Sequence, residues 1–184
     1  MSDPLSELAQ KYGTDKYPTY TPFYDALLRS RRLNIKSVLE IGIGTVEAMK
    51  HVPGYRPGAS LRMWRDYFPN AVIIGVDKNS RVLFSEERIR TFGCDQSRIS
   101  DLDQVADLPS FDLIVDDGSH DLGHQLDTAV FFVPKLCQNG LYIIEDVNEP
   151  SVLSPMLPFT HQVIQCYAVE SKPVGSLILI EAEN

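Results

Sequence analysis

The sequence predicts an α/β domain built on a doubly wound, mostly parallel sheet that ends in an antiparallel hairpin. Two observations carry this. Five apolar, β-branched runs recur along the chain: SVLEIGIG (37–44), AVIIGVD (71–77), IRTFGCD (89–95), FDLIVDD (111–117) and GLYIIED (140–146). Their near-continuous apolarity suits strands buried on both faces, hence a parallel sheet between helix layers. The chain then closes with HQVIQCYAV and SLILIEA, split only by ESKPVG. So short a turn leaves no room for a crossover, and the last two strands must run antiparallel.

Taken in order, residues 1–33 read as an N-terminal helical cap. SELAQKYGTDK places Leu8 and Tyr12 at helical spacing and stops at Gly13, while TPFYDALLRSRRL has Pro22 near a helix start. Residues 34–184 form a single Rossmann-like core. After the first run, a loop continues to about Gly58, where the helix ASLRMWRDYF begins and Trp64 packs toward the sheet. The clearest helix is DLGHQLDTAVFFVPKL (121–136), with Leu122, Leu126, Ala129, Val130, Val133 and Leu136 on one stripe. The terminal hairpin completes the sheet.

Composition narrows the function. The 184 residues carry 17 basic against 25 acidic side chains, a formal charge of −8, which argues against nucleic acid because phosphate binding needs a basic footprint. No apolar run approaches the roughly 20 residues that span a bilayer, and MSDPLSELAQ has no basic-then-apolar leader pattern. The expected location is cytoplasmic. Cys94, Cys137 and Cys166 are isolated and odd in number, so they are read as reduced thiols.

Polar residues collect at the strand ends: Gly42-Ile43-Gly44, Asp77, Asp95, Asp116-Asp117 and Glu145-Asp146, with Glu40 just inside the first. In an open α/β sheet, ligands bind beyond the carboxyl ends of the strands, where the strand order reverses. If the first strand is central, with the second on one side and the fourth and fifth on the other, all these groups border one crevice. The EIGIGT turn lets backbone approach a ligand, or is a plain strand-to-loop bend. Glu47 stands where a dinucleotide pattern has its third glycine and would repel a pyrophosphate. Asp77 suits the two hydroxyls of a ribose, or caps a helix.

VLEIGIGT, IIGVDKN and GCDQS resemble the first motif, the ribose-binding strand end and the adenine-side turn of class I S-adenosylmethionine-dependent methyltransferases. FDLIVDDGSH and GLYIIEDV resemble their later strands. Together, KYGTDK with YTPFYDALL, PGASLRMWRDYFPNAVIIGVD, DDGSH and IIEDV are similar to the metal-dependent sugar O-methyltransferases of antibiotic biosynthesis, of the mycinamicin and macrocin type, and to a related cephalosporin hydroxylase-like group. The resemblance runs over roughly residues 11–147. It implies the class I methyltransferase fold, with S-adenosylmethionine and Mg²⁺ as cofactors. Carried over, Asp117, Glu145 and Asp146 are the metal ligands and His120 is the general base. Glu40, Gly42, Gly44, Asp77, Asp95, Gln96 and Asp116 fall to the cofactor. Tyr12 and Asp15 of KYGTDK fold over it as a flap, unless that segment is only a helix ending at Gly13.

The residue types support such chemistry. A sugar hydroxyl is a weak nucleophile, and a divalent ion with a nearby base makes it a better one. Hard Asp and Glu oxygens suit Mg²⁺, and a bound cation explains why adjacent acids are tolerated. Alternation sends Asp116 and Asp117 to opposite sides of the strand, so Asp117 goes to the metal and Asp116 to the cofactor side or to structure. By the same parity Glu145 and Asp146 diverge, and their joint ligation rests on the resemblance. The expected function is methylation of a hydroxyl on a sugar or glycosylated natural product, with a small-molecule acceptor and a chain size compatible with a homo-oligomer. Two other readings stand beside it: a hydroxylase-like relative using iron, and a partner subunit that holds cofactor without catalysis. His124, four residues beyond His120, invites a zinc reading.

Overall fold

The computed structural model describes residues 3–106, 110–167 and 173–182. The elements are α1 (Pro4–Tyr12), α2 (Thr21–Leu28), β1 (Ser37–Ile41), α3 (Ala59–Tyr67), β2 (Val72–Asp77), β3 (Ser85–Glu86), β4 (Ile89–Gly93), α4 (Ile99–Ala106), β5 (Phe111–Asp116), α5 (Leu122–Phe132), β6 (Leu136–Ile144), α6 (Pro150–Leu153), β7 (His161–Tyr167) and β8 (Pro173–Glu181). They build one sheet in the order β3-β4-β2-β1-β5-β6-β8-β7. β4, β2, β1, β5 and β6 run parallel, while β8 inserts antiparallel between β6 and β7. The chain leaves β1 toward β2 and later returns to its other side as β5, so the strand order reverses at β1. The terminal hairpin is present as predicted; residues 168–172, part of its turn and of the expected strand HQVIQCYAV, lie outside the described residues. The two-residue β3, which pairs antiparallel with β4, has no signal in the sequence because two residues carry no period.

Strand alternation sorts the core into two layers. On one face, Val38, Leu113, Val115, Leu141 and Ile143 pack with Leu5, Tyr24, Leu28, Leu61 and Trp64 of α1, α2 and α3. On the other, Leu39, Ile41, Ile114, Tyr142 and Ile144 pack with Leu102, Val105, Ala129, Phe132 and Leu153 of α4, α5 and α6. The expected N-terminal cap is therefore part of a core layer, with α1 lying against both α2 and α3. α1 begins where the Asp3 carboxylate accepts from the Ser6 N–H, a regular N-cap, and ends at left-handed Gly13. α3 buries seven of its nine residues, and Trp64 stacks on Phe68 and meets Tyr24 edge-on.

One helix is shorter than its sequence pattern. α5 ends at Phe132, Val133–Lys135 form a 3₁₀ turn, and Leu136 already opens β6. Pro134 has no N–H for the carbonyl four residues back, which stops an α-helix. Leu136 thus leaves the proposed stripe, and Val130 lies on the outside at 46% exposure. α5 buries Gln125, Thr128, Ala129 and Phe132 instead.

Candidate active site

The parallel strands end at a crevice of about 400 Å³, within the size range of small-molecule sites. Its floor is the turn after β1. Gly42, at φ 95°, packs so closely that a Cβ would run into the Asp117 carbonyl, and a Cβ on Gly44, at φ 80°, would meet the Tyr55 hydroxyl. The first-strand turn and the end of β5 are thus in backbone contact, with the Asp117 N–H donating to the Ile41 carbonyl at 2.9 Å. Asp77 closes one side. Its carboxylate accepts from the Ile43 and Asn79 N–H groups at 3.0 and 2.8 Å while still lining the crevice. Asp95, which accepts from the Ser97 N–H and hydroxyl, and Gln96 line the next stretch.

Behind this floor lies a buried charge cluster that alternation explains. Glu40 follows Val38, Asp117 follows Leu113 and Val115, and Glu145 follows Leu141 and Ile143. All three carboxylates therefore lean toward the α1–α3 layer. There the Lys16 ammonium meets Glu40 at 3.1 Å, Asp117 at 2.8 Å and Glu145 at 2.8 Å, with Lys16 itself 2% exposed. The Tyr24 hydroxyl donates to the other Glu145 oxygen. Burial alone would lower the Lys16 pKa, but Asp117, Glu145 and Glu40 outweigh it and hold it well above the usual lysine value. Burial lifts Glu40 to about 7 against the pull of Lys16. Both Glu40 oxygens are buried without a well-aligned hydrogen bond, the Lys16 contact being an ion pair only.

Asp116 takes the opposite face. It is fully buried, accepting from the Gln96 amide at 2.7 Å and the Tyr142 hydroxyl at 3.0 Å. Burial raises its pKa to about 7, against those two hydrogen bonds. Gln96 in turn accepts from the Ser119 N–H at 2.9 Å, so Asp116 acts on the crevice through Gln96 and does not line it.

Beyond the strand ends the backbone makes two costly turns. His120 and Asp146 both have positive φ, 55° and 49°, conformations that cost a non-glycine residue roughly 1–3 kcal/mol and cluster at functional sites. These turns bring together groups that the strands alone would separate. The His120 Nε2 lies 3.1 Å from Asp117 Oδ1 and 3.7 Å from Asp146 Oδ2. One ligand atom each from Asp117, His120 and Asp146 falls within 4.8 Å of the others. The hydrogen bond to Asp117 raises the His120 pKa above 6.5 despite burial, and the Asp117 and Asp146 charges add to it. Burial would raise Asp117, but Lys16 and His120 hold it below the usual carboxylate value. The Tyr20 hydroxyl donates to Asp146.

The structure therefore gathers most of the expected residues around one crevice. Gly42, Gly44, Asp77, Asp95, Gln96, Asp15, Asp117, His120 and Asp146 line it, and Glu40 lies directly behind. Three expectations differ. Asp116, expected at the cofactor, is fully buried behind Gln96 and does not line the crevice. Tyr12, expected over the cofactor, packs toward α3 instead, its hydroxyl donating to Asp66 and accepting from Arg65; the left-handed turn at Gly13 separates it from Thr14 and Asp15. Glu145, expected as a third ligand, is turned from the Asp117–His120–Asp146 cluster into its bonds with Lys16 and Tyr24. His124 pairs with the Ser119 hydroxyl at 2.9 Å and is outside that cluster among the described residues. Lys16, Tyr20 and Tyr24 were not singled out from sequence. The parity shared by Glu40, Asp117 and Glu145 was the available signal that a cation must come from the α1–α3 side.

No protein-family model matches the chain. Over 147 residues it is 40% identical to the mycinamicin VI 2''-O-methyltransferase of Micromonospora griseorubida, an alignment covering 78% of this chain and 36% of that protein. Over 151 residues it is 36% identical to the demethylmacrocin O-methyltransferase of Streptomyces fradiae, again 78% of this chain and 36% of the other. Among solved structures, the MycE methyltransferase from the mycinamycin biosynthetic pathway, in complex with Mg, SAH and mycinamycin VI, matches with a TM-score of 0.68. Its identity is 38% over 79% of this chain and 39% of that one. The strand order, the crevice and these neighbours define a class I methyltransferase fold. The chain is homologous to the macrolide-sugar O-methyltransferases, and it spans a little more than a third of the length of the curated relatives it matches. No helix among the described residues is long and apolar enough to cross a membrane.

Proposed function

We propose that the chain catalyses S-adenosylmethionine-dependent O-methylation of a sugar hydroxyl on a small-molecule glycoside, assisted by Mg²⁺. The observation that carries this is the meeting of Asp117, His120 and Asp146 at the rim of a crevice sized for a small-molecule cofactor. The residues fit both groups. The crevice presents Asp77, Asp95 and Gln96 as polar partners for a nucleoside, and two carboxylates at one point suit a hard cation.

When bound, S-adenosylmethionine would supply the methyl group and Mg²⁺ would lower the pKa of the acceptor hydroxyl. The chain's own residues do the rest. Asp77 takes the ribose hydroxyls at the end of β2, and Asp95 with Gln96 borders the adenine side. Asp117 and Asp146 hold the ion. His120, held at the rim by its turn and by the Nε2–H that it donates to Asp117, accepts the hydroxyl proton at its other ring nitrogen as the oxygen is methylated. A second cavity of about 180 Å³ adjoins His120, lined by Gln125, Val147, Asn148, Glu149 and Leu153 among others. It is of monosaccharide size and would receive the acceptor ring. The similarity to the mycinamicin and macrocin enzymes supports a glycoside as acceptor.

The test is a calorimetric titration of S-adenosylmethionine into the purified chain, with Mg²⁺ and with chelator, followed by turnover assays on a panel of glycosides. Micromolar cofactor binding together with Mg²⁺-dependent methylation of one glycoside is expected. Absence of cofactor binding in every condition would remove the methyltransferase reading.

A further inference from the structure

We propose that Gln96, in addition to bordering the nucleoside, is a positioning residue for His120: its side-chain amide clamps the turn that presents the base. This rests on the reading of His120 as the proton acceptor given above.

Gln96 lies just past β4, and the turn 117–120 follows β5; in the sheet, β2 and β1 stand between those two strands. The Gln96 side chain bridges this interval. Its amide nitrogen donates to Asp116 Oδ1 at 2.7 Å, and its amide oxygen accepts from the Ser119 N–H at 2.9 Å. An amide suits both partners because it offers a donor and an acceptor, whereas an ionised glutamate would face the Asp116 carboxylate with no proton to give. The anchoring end of the clamp is fixed. Asp116 is fully buried, and its second oxygen accepts from the Tyr142 hydroxyl at 3.0 Å. Gln96 is itself buried, so water competes little for its amide.

The clamp closes on the residue next to the strained one. Ser119 directly precedes His120, whose φ of 55° is kept only where the surroundings impose it. The start of the turn is tied to the sheet by the Asp117 N–H on the Ile41 carbonyl. Farther along, the other holds are looser: Asn148 reaches the His120 carbonyl at 3.4 Å, and the Ser119 hydroxyl meets His124 at the exposed rim. The bond from the His120 ring to Asp117 lies within the turn and orients the imidazole without anchoring Ser119. A matching feature stands at Gly118, which is not in the left-handed region, so backbone freedom does not account for it. A Cβ there would run into Gln96 Oε1 and press on Ile41 Cγ2 at 3.2 Å. The glycine of DDGSH leaves the space through which Gln96 reaches Ser119.

The test uses the full chain and two variants. Gln96→Met keeps the length of the side chain and removes both hydrogen bonds; Gly118→Ala leaves every polar group in place and pushes Gln96 off Ser119. Without acceptor, nuclear magnetic resonance reads the exchange rate of the Ser119 amide and the His120 ring resonance. Exchange should quicken by about tenfold in both variants, as expected for one lost hydrogen bond, and the ring resonance should move. With the glycosides of the panel above, kcat at saturating cofactor and acceptor should fall by about 10–100-fold, the scale of a base displaced by up to an ångström. In a His120→Ala background Gln96→Met should cost nothing further, because the group it positions is gone. A Ser119 amide as protected as in the wild type, or an unmoved ring resonance, overturns the proposal. So does a raised cofactor KM at unchanged kcat, which would confine Gln96 to the nucleoside, and so does a full additional loss in the His120→Ala background. If Gln96→Met does not fold, Gly118→Ala, where only side-chain ends must yield, decides alone. If no glycoside in the panel reacts, the exchange rate and the ring resonance decide. Wild-type protein that binds no S-adenosylmethionine would overturn the methyltransferase reading itself, and this proposal with it.

Discussion

Replacing Gly42 with alanine tests whether the crevice floor depends on backbone contact between the end of β1 and the end of β5. Two costs add. At φ 95° an L-residue is strained, by roughly 1–2 kcal/mol. The new Cβ also meets the Asp117 carbonyl carbon and oxygen and the Gly118 Cα. These are backbone atoms, so no rotamer relieves them, and overpacking of this kind costs about 1–3 kcal/mol. The sum is about 2–5 kcal/mol, a large part of the 5–15 kcal/mol typical of a whole domain. For a chain of this size each kcal/mol lowers the midpoint by about 2–4 °C, so thermal unfolding should shift by roughly 4–20 °C. Gly54→Ala is the control. Gly54 also has positive φ, 72°, but nothing lies within 4 Å of its Cβ position, so it bears the strain without the collision. Circular dichroism melts of the two variants, with a cofactor titration beside each, separate the terms. A Gly42→Ala midpoint no lower than that of Gly54→Ala would refute the claim that the two strand ends are in tight contact.

Three other outcomes are expected. kcat/KM should rise with pH through a value above 6.5, because Asp117 stabilises charged His120 and only the neutral ring takes a proton. His120→Ala should lose about 10²–10⁴-fold in turnover together with that rising limb, and a limb that persists in the variant would exclude His120 as its source. Asp116 runs the other way in stability: its folded pKa of about 7 exceeds the usual 3.8, so the folded state binds the extra proton and stability falls as pH climbs between those values. The gap amounts to roughly 4 kcal/mol, and Asp116→Asn, which keeps an acceptor for Gln96, should flatten the midpoint-against-pH curve; an unchanged slope would count against the buried acid. Asn148→Ala should raise the acceptor KM and leave the cofactor dissociation constant alone, and an unchanged KM would show that the acceptor ring sits elsewhere.

Much of this architecture was legible in the sequence for a plain reason: a strand buried on both faces reads as an apolar run, and its end reads as the first polar residue. The five central strands and the separation of Asp116 from Asp117 followed from that; the strand order entered only as a condition, with the first strand central, which the sheet meets. Parity also suggested that Glu145 and Asp146 diverge. It does not say that Asp146 swings back, because a positive φ at an aspartate has no signature in composition or period. The end of α5 was misjudged where an apolar stripe continued past Pro134; the proline outweighed the stripe. Lys16 was hidden for another reason. A lysine in a short loop reads as solvated, and only the third dimension puts it under three carboxylates. Tyr12, expected at the crevice, is the last residue of α1 and packs toward α3, and only past the left-handed turn at Gly13 does the chain bring Thr14 and Asp15 to the crevice.

The pairs that Lys16 makes with Asp117 and Glu145 span 101 and 129 residues of sequence, and this has a consequence for biogenesis. As the polypeptide is synthesised, the lysine emerges first and its carboxylate partners much later. Contacts so distant in sequence are slow to form, so the strands at the centre of the sheet can pair before Lys16, Asp117 and Glu145 meet. Until then the acids at their ends stand unneutralised, accessible to water and to any free divalent ion. The acidic end of the sheet is thus neutralised only once segments from both halves of the chain are in place.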